Sequence, residues 1–295
     1  MSKTLVATGA SSGLGFEAVR QLLVEAEDET TYTVIIGCRD IAATEKAYAS
    51  ASIPSRHEIR YLALELSSLA STKQFAEAVI DHLDGRQLDT LLLCAAVSKA
   101  ASEEDRRQGK WSQAYIVNYA AQQYLLYLLE SRLREDRARI VAVTSMLYKK
   151  ISDPNQLDSI VSSTSDSSAI EVYRSTKFIQ LTSVLKWQER LAGSCEVIAV
   201  SPGFVPTTGL SRETGFLASL FMQYILPWAP FATTLHEGAQ AIRRAMTLSD
   251  KPQVVKATNH VLTKAGEWEA VNDVVSDTGV MEKWWLSRED LEALQ

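Results

Sequence analysis

Cysteine is scarce, with only Cys38, Cys94 and Cys195 among 295 residues. The three lie far apart, each at the start or end of an apolar run. That pattern reads as small buried side chains and gives no disulfide framework. Histidine is nearly as scarce, and His57, His82, His236 and His260 have no metal-ligand spacing, so no metal is expected. Neither sign of charge dominates: 30 Lys and Arg stand against 36 Asp and Glu, for a net charge of −6 spread along the chain. No basic face stands out, and nucleic acid is not an expected partner. A continuous apolar run of the roughly 20 residues that span a bilayer is also missing. The longest apolar stretch, Phe216 to Ala232, is broken by Gln223, Pro227 and Pro230. It reads as a lid or an interface, and stable membrane insertion is not expected. No basic start with an apolar core precedes the first strand, so the expected compartment is the cytoplasm.

What is present is ordinary for a globular protein: 46% apolar and 22% charged residues. A chain of this length can bury one large core, and residues 1–295 read as a single domain. Apolar runs rich in β-branched residues alternate with amphipathic stretches, which predicts an α/β fold, a doubly wound parallel sheet of about seven strands with helices on both faces. The chain is organised around Thr8-Gly9-Ala10-Ser11-Ser12-Gly13-Leu14-Gly15, which follows the apolar run Thr4 to Ala7 and opens the stretch Phe16 to Ala26. Strand, glycine turn and helix in that order let backbone approach a pyrophosphate at a helix N-terminus. A dinucleotide is the expected ligand, although Gly9, Gly13 and Gly15 depart by one residue from the G-x-G-x-x-G spacing.

The second strand, Thr33 to Gly37, is followed by Cys38-Arg39-Asp40, where such a fold chooses between a ribose hydroxyl and a ribose phosphate. Arg39, helped by the hydroxyls of Ser11 and Ser12, can pair with a phosphate, which favours NADPH over NADH. Asp40 complicates that reading. Further strands are expected over Ile59 to Leu64, Thr90 to Ala96, Arg139 to Ser145 and Val197 to Ser201, with another around Val254 to Leu262. Helices are expected over Ile41 to Ala51, Ser71 to Leu83 with Ser71 as N-cap, Gln113 to Leu133, Ala169 to Ala192 and Leu235 to Met246. Lys99 to Lys110 reads as a surface loop, and the serine-rich Met146 to Ser168 as a substrate wall.

Asn118 lies inside a long helix among apolar neighbours, so its amide needs buried partners. Ser145 closes the fifth strand. Tyr173 and Lys177, four residues apart, share one helix face. A phenol with a pKa of about 10 needs a neighbouring cation to work near neutrality. Lys177 supplies one, Tyr173 can then give a proton to a carbonyl, and Ser145 can hold the same oxygen. Lys177 would also bind the nicotinamide ribose, and Asn118 could order a water that refills the proton.

In that order these motifs resemble the short-chain dehydrogenase/reductase family in its classical form, over roughly residues 3 to 210. The resemblance implies an NADP(H) cofactor and a catalytic tetrad of Asn118, Ser145, Tyr173 and Lys177. It implies cofactor contacts from Gly9, Ser11, Ser12, Gly13, Leu14, Gly15, Arg39, Glu65, Leu66, Cys94, Ala95, Pro202, Gly203, Val205 and Thr207. It divides the domain into a cofactor-binding and catalytic core (3–210), a substrate lid (203–234) and a C-terminal helix, last strand and tail (235–295). The family usually has an aspartate where Glu65 stands and Asn-Asn-Ala-Gly where Leu93-Cys94-Ala95-Ala96 stands. The Ser145 to Tyr173 gap is longer than usual. The Cys94-Ala95-Ala96-Val97 strand end and the Thr207 to Glu213 segment are similar to light-dependent protochlorophyllide reductases, which have a cysteine where this chain has Ile179.

The expected activity is therefore NADPH-dependent reduction of a ketone or enone on a fairly large apolar small molecule, as in tailoring reductases of secondary metabolite biosynthesis. A non-redox step such as a cyclisation or isomerisation, and an NADPH-sensing interaction protein, are the alternatives. The resemblance also implies a homo-oligomer, dimer or tetramer, through the helices Gln113 to Leu133 and Ala169 to Ala192.

Overall fold

A computed structural model describes residues 1–205, 233–248 and 259–294. Eight strands form one sheet in the order β3-β2-β1-β4-β5-β6-β7-β8. They are β1 (Ser2–Thr8), β2 (Thr31–Cys38), β3 (Glu58–Ala63), β4 (Thr90–Leu93), β5 (Arg139–Val143), β6 (Glu196–Val200), β7 (His260–Leu262) and β8 (Trp268–Ala270). Every neighbouring pair is parallel except β7 and β8. The extra strand is a short antiparallel edge that residue pattern had assigned to the tail. Three residues are too few to show a period of two, so the strand is revealed by its pairing, from His260 with Ala270 to Leu262 with Trp268.

Side chains alternate across the sheet and bury on both faces. Leu91 and Leu93 join one apolar layer with α3 (Leu69–Leu83), α6 (Ala121–Asp136) and α8 (Ala169–Arg190). Leu92 points the other way, into the layer built by α1 (Gly13–Val24), Tyr48 of α2 (Ile41–Ala49) and α9 (Leu235–Thr247). Burial on both faces is why the central strands read as unbroken apolar runs.

Element ends shift from the sequence reading for local reasons. Ser68, not Ser71, caps α3 by accepting from the Ser71 N–H, while the Ser71 hydroxyl accepts from the Glu65 N–H at 3.0 Å. Lys99 to Lys110 is not all loop: Ser102 and Asp105 form a reciprocal capping box that starts α4 (Glu103–Gln108). The helix expected over Gln113 to Leu133 begins as α5 (Gln113–Tyr115), widens into a π turn over Ile116–Ala120 and continues as α6. The serine-rich segment holds 3₁₀ turns at Met146–Lys150 and Pro154–Gln156 and the single turn α7 (Leu157–Ile160). Phe216 to Ala232, the expected lid, lies outside the described residues, as do the start of the strand expected from Val254 and the Thr207 to Glu213 segment.

The C-terminal turns α10 (Thr278–Lys283) and α11 (Arg288–Glu292) lie against α6 and α8. Tyr119 donates to the Trp284 carbonyl, and Gln123 and Tyr127 both reach the Leu286 carbonyl, at 3.1 and 3.2 Å. The Trp285 ring packs on Trp187 with centroids 5.3 Å apart. Part of the helical surface that the sequence reading assigned to a partner subunit is thus covered by the chain's own tail. Among the described residues no helix is long and apolar enough to cross a membrane.

Candidate active site

Strand order reverses at β1, which has β2 on one side and β4 on the other, and the carboxyl ends of β1, β4, β5 and β6 share one rim. The rim is tied together just past the strands. Cys94 N–H donates to the Thr8 carbonyl at 3.3 Å, Thr144 N–H to Val200 at 2.8 Å, and Ser201 N–H to Leu262 at 2.8 Å. A crevice of this kind is where ligands bind in open α/β sheets.

The glycine turn fits that place. Gly9 has φ +68°, and a Cβ there would stand 2.4 Å from the Ala95 nitrogen. A Cβ on Gly15 would stand 2.2 Å from the Gly9 carbonyl oxygen, so the turn could not close over any larger residue. Ser12 caps α1 in an extended conformation without turning its hydroxyl back onto the helix, so its side chain takes none of the first-turn N–H groups. Tyr48 fastens the turn from behind by donating to the Ala10 carbonyl at 2.8 Å. Leu14 and Val205 both pack against Gly238, where a Cβ would stand 2.8 and 2.9 Å from their side chains, so α9 comes close to the turn.

At the end of β2 the ambiguity of Asp40 resolves. Its carboxylate accepts from the Ala43 N–H at 2.9 Å and caps α2. Arg39 is exposed beside it, on the same rim as Ser11 and Ser12. Glu65 bends back on its own turn and accepts from the Ser67 N–H at 3.0 Å, while Leu66 is buried. Cys94 to Ala100 is a half-buried strip beyond β4.

Asn118 sits in the π turn, fully buried. Its Oδ1 accepts from the Val97 N–H at 2.8 Å, and its Nδ2 donates to the Val97 carbonyl and to Thr176 Oγ1, both at 2.9 Å. Ser145 lies two residues beyond β5, and its Oγ accepts from the Leu147 N–H at 3.3 Å. Burial raises the Tyr173 pKa far above its ordinary value, and Ser145 offsets only part of that rise. Lys177, 2% exposed, lies with Nζ 6.0 Å from the Tyr173 ring centroid. Loss of water pulls its pKa down to about 8, with the neighbouring Cys94 acting in the opposite sense. Burial likewise pushes the Cys94 thiol up to about 11.

The sequence reading has Lys177 bringing the phenol toward neutrality. Here its ammonium donates instead to the Val143 carbonyl at 2.8 Å and to Gln180 Oε1 at 2.9 Å. All four tetrad members nonetheless gather beside the ends of β4 and β5. Pro202 and Gly203 follow β6 on the same rim, and Thr207 falls outside the described residues. A protonated phenol, a serine hydroxyl and a buried cation together can protonate and hold a developing oxyanion.

Comparison with known proteins decides the lineage. The sequence model described as short chain dehydrogenase matches residues 3–154. The chain belongs to the short-chain dehydrogenase/reductase family. A member of that family from Pestalotiopsis microspora is 36% identical over 298 residues, covering 99% of each chain. Protochlorophyllide reductase of Chlamydomonas reinhardtii is 36% identical over 104 residues, 35% of this chain and 24% of that one. An NADPH-bound carbonyl reductase from chicken fatty liver superposes with a TM-score of 0.65 at 20% identity, covering 92% of this chain and 94% of that chain. The fold seen here is therefore shared with that structure.

Residue pattern missed three polar side chains in this neighbourhood: Thr176, Gln122 and Gln180, all buried. The signal was available, since Gln122 and Gln180 lie among Leu125, Leu126, Phe178 and Ile179, and a buried amide must find partners just as Asn118 does.

Proposed function

We propose that the chain is an NADPH-dependent reductase of a ketone or enone carbonyl on a fairly large apolar molecule, such as a natural-product intermediate. The observation that carries this reading is a buried Tyr173 phenol, kept protonated by burial with Ser145 acting in the opposite sense, whose ring centroid lies 6.0 Å from the Lys177 ammonium. Gly9, Gly13 and Gly15 would admit the pyrophosphate, with Ser11, Ser12 and Arg39 taking the ribose phosphate. Leu14, Glu65, Leu66, Cys94, Ala95, Pro202, Gly203, Val205 and Thr207 would line the rest of the cofactor.

The reduced nicotinamide, when bound, supplies hydride. Tyr173 Oη donates its proton to the carbonyl oxygen, and the Ser145 hydroxyl holds that oxygen as negative charge develops on it. Lys177, buried and cationic, lowers the cost of the phenolate left behind. Both ends of the Asn118 amide are committed to Val97 and Thr176, so a water refilling the proton would be ordered by the backbone of its π turn.

The test pairs titration of NADPH and NADH with absorbance at the reduced-nicotinamide band over bulky ketones and enones. Tyr173→Phe should lower turnover by about 10²–10⁴-fold and leave NADPH affinity within a few fold. Retained turnover in that variant would sink the assignment. Product formation without NADPH consumption would establish a non-redox step instead.

A further inference from the structure

The tetrad leaves two buried amides unexplained. Gln122 on α6 and Gln180 on α8 are 2% and 4% exposed, and they meet: Gln180 Nε2 donates to Gln122 Oε1 at 3.0 Å. Gln122 Nε2 then donates to the Ala95 carbonyl at 2.7 Å and to the Val117 carbonyl at 3.2 Å. At the other end Gln180 Oε1 accepts from Lys177 Nζ at 2.9 Å. One unbroken chain therefore runs from the Lys177 ammonium through two amides to the carbonyl of Ala95, just past β4.

Its polarity has a single solution. A backbone carbonyl can only accept, so Gln122 must turn its NH₂ toward Ala95 and Val117 and its oxygen toward Gln180. Gln180 must then turn its NH₂ toward Gln122 and its oxygen toward Lys177. Reversing either amide would set donor against donor inside the core. Lys177 accordingly always meets an acceptor. With Val143 as its second acceptor, two of its three N–H bonds are directed and the third is left for a ligand. The chain repeats, four residues along each helix, the rung that joins Asn118 to Thr176. The two rungs together fix the strip from Ala95 to Val97 to the helix that carries Tyr173.

We propose that Gln180 and Gln122 are positioning residues for Lys177, an amide pair of fixed direction that keeps the ammonium charged and aimed and couples it to the Ala95 end of β4. The proposal rests on the reductase reading for its catalytic meaning, but its physical content is a property of the protein without cofactor or substrate.

The experiment follows the Lys177 Cε resonance in full-length protein labelled with [¹³Cε]lysine and assigned by its loss in Lys177→Met. Titration runs from about pH 6 to about pH 10, across the range where a buried lysine changes charge. Gln180→Leu removes the acceptor and should lower the midpoint by about one unit, a tenfold change in proton affinity. Gln180→Glu offers a charged acceptor and should raise it. Gln122→Leu frees the Gln180 amide to turn and should shift the midpoint in the same direction as Gln180→Leu, by less. Opposite shifts from the leucine and glutamate variants establish the role, because a purely structural defect cannot change sign with the chemistry of the side chain. An unmoved midpoint in Gln180→Glu and Gln122→Leu overturns it, even if Gln180→Leu does not fold. Absence of NADPH consumption by the unaltered protein would defeat the reductase reading and leave this titration intact.

Discussion

Asn118 holds Val97 by both sides of its backbone, accepting from its N–H at 2.8 Å and donating to its carbonyl at 2.9 Å. A loop residue gripped in this way is fixed as firmly as one in a strand, and it stands where the half-buried strip past β4 faces the tetrad. Asn118→Ala removes the partner of both the Val97 N–H and the Val97 carbonyl on this half-buried strip. The expected loss of stability is about 2–4 kcal/mol, read from the urea unfolding midpoint at unchanged m-value. Native stability in that variant would show that the strip does not need the clamp.

Arg39 and Asp40 are adjacent in sequence, but Arg39 is exposed while the Asp40 carboxylate caps α2. Arg39→Ala should weaken NADPH binding by about 10–100-fold, as expected for charge-assisted hydrogen bonds to a phosphate, and leave NADH binding nearly unchanged. Asp40→Ala should instead cost about 1 kcal/mol of stability through the lost cap of α2 and leave the NADPH to NADH ratio as it was. Fluorescence titration of both variants with both cofactors, alongside thermal unfolding, separates the two. An altered ratio in Asp40→Ala would contradict this division.

Lys177 makes stability depend on pH in a definite direction. Its pKa is about 8 in the folded protein against an ordinary 10.5, so between those values the unfolded chain binds more protons. Stability therefore rises as pH climbs from about 8 to about 10.5, and the full cost of charging a buried amine is present below that window. The total is about 3 kcal/mol. Urea unfolding of the protein and of Lys177→Met across this range isolates the effect, since other titrating groups are common to both. A difference between the two that does not change with pH would remove the shift.

Trp284 anchors the tail. Its indole is 3% exposed, against the rings of Trp111 and Tyr115, and its carbonyl accepts from Tyr119. Trp284→Ala should cost about 3–5 kcal/mol without changing NADPH affinity, because the tail lies on the faces of α6 and α8 and not on the rim. Calorimetry with cofactor titration checks both halves. Light scattering of the same variant shows whether uncovering those helices allows a second copy to dock.

Local signals carried much of the protein. Unbroken β-branched runs mark strands buried on both faces, a glycine turn marks the passage from the first strand to the first helix, and Tyr173 four residues before Lys177 fixes a shared helix face. These are properties of near neighbours in the chain, which is why the strands, the turn at Gly9 and the helix carrying Tyr173 and Lys177 could be placed from sequence. Their spacing and order also carry the family.

Tertiary structure decided what near neighbours cannot. Whether Asp40 opposes a phosphate or caps a helix depends on where its carboxylate turns. Whether Lys177 faces Tyr173 or Val143 depends on an acceptor 34 residues away. Gln122 and Gln180 are 58 residues apart, and their apolar neighbours show that each needs a partner but not which one. Burial supplies the reason: once water is gone, each amide, ammonium and carbonyl must be answered by whichever group the fold brings within about 3 Å.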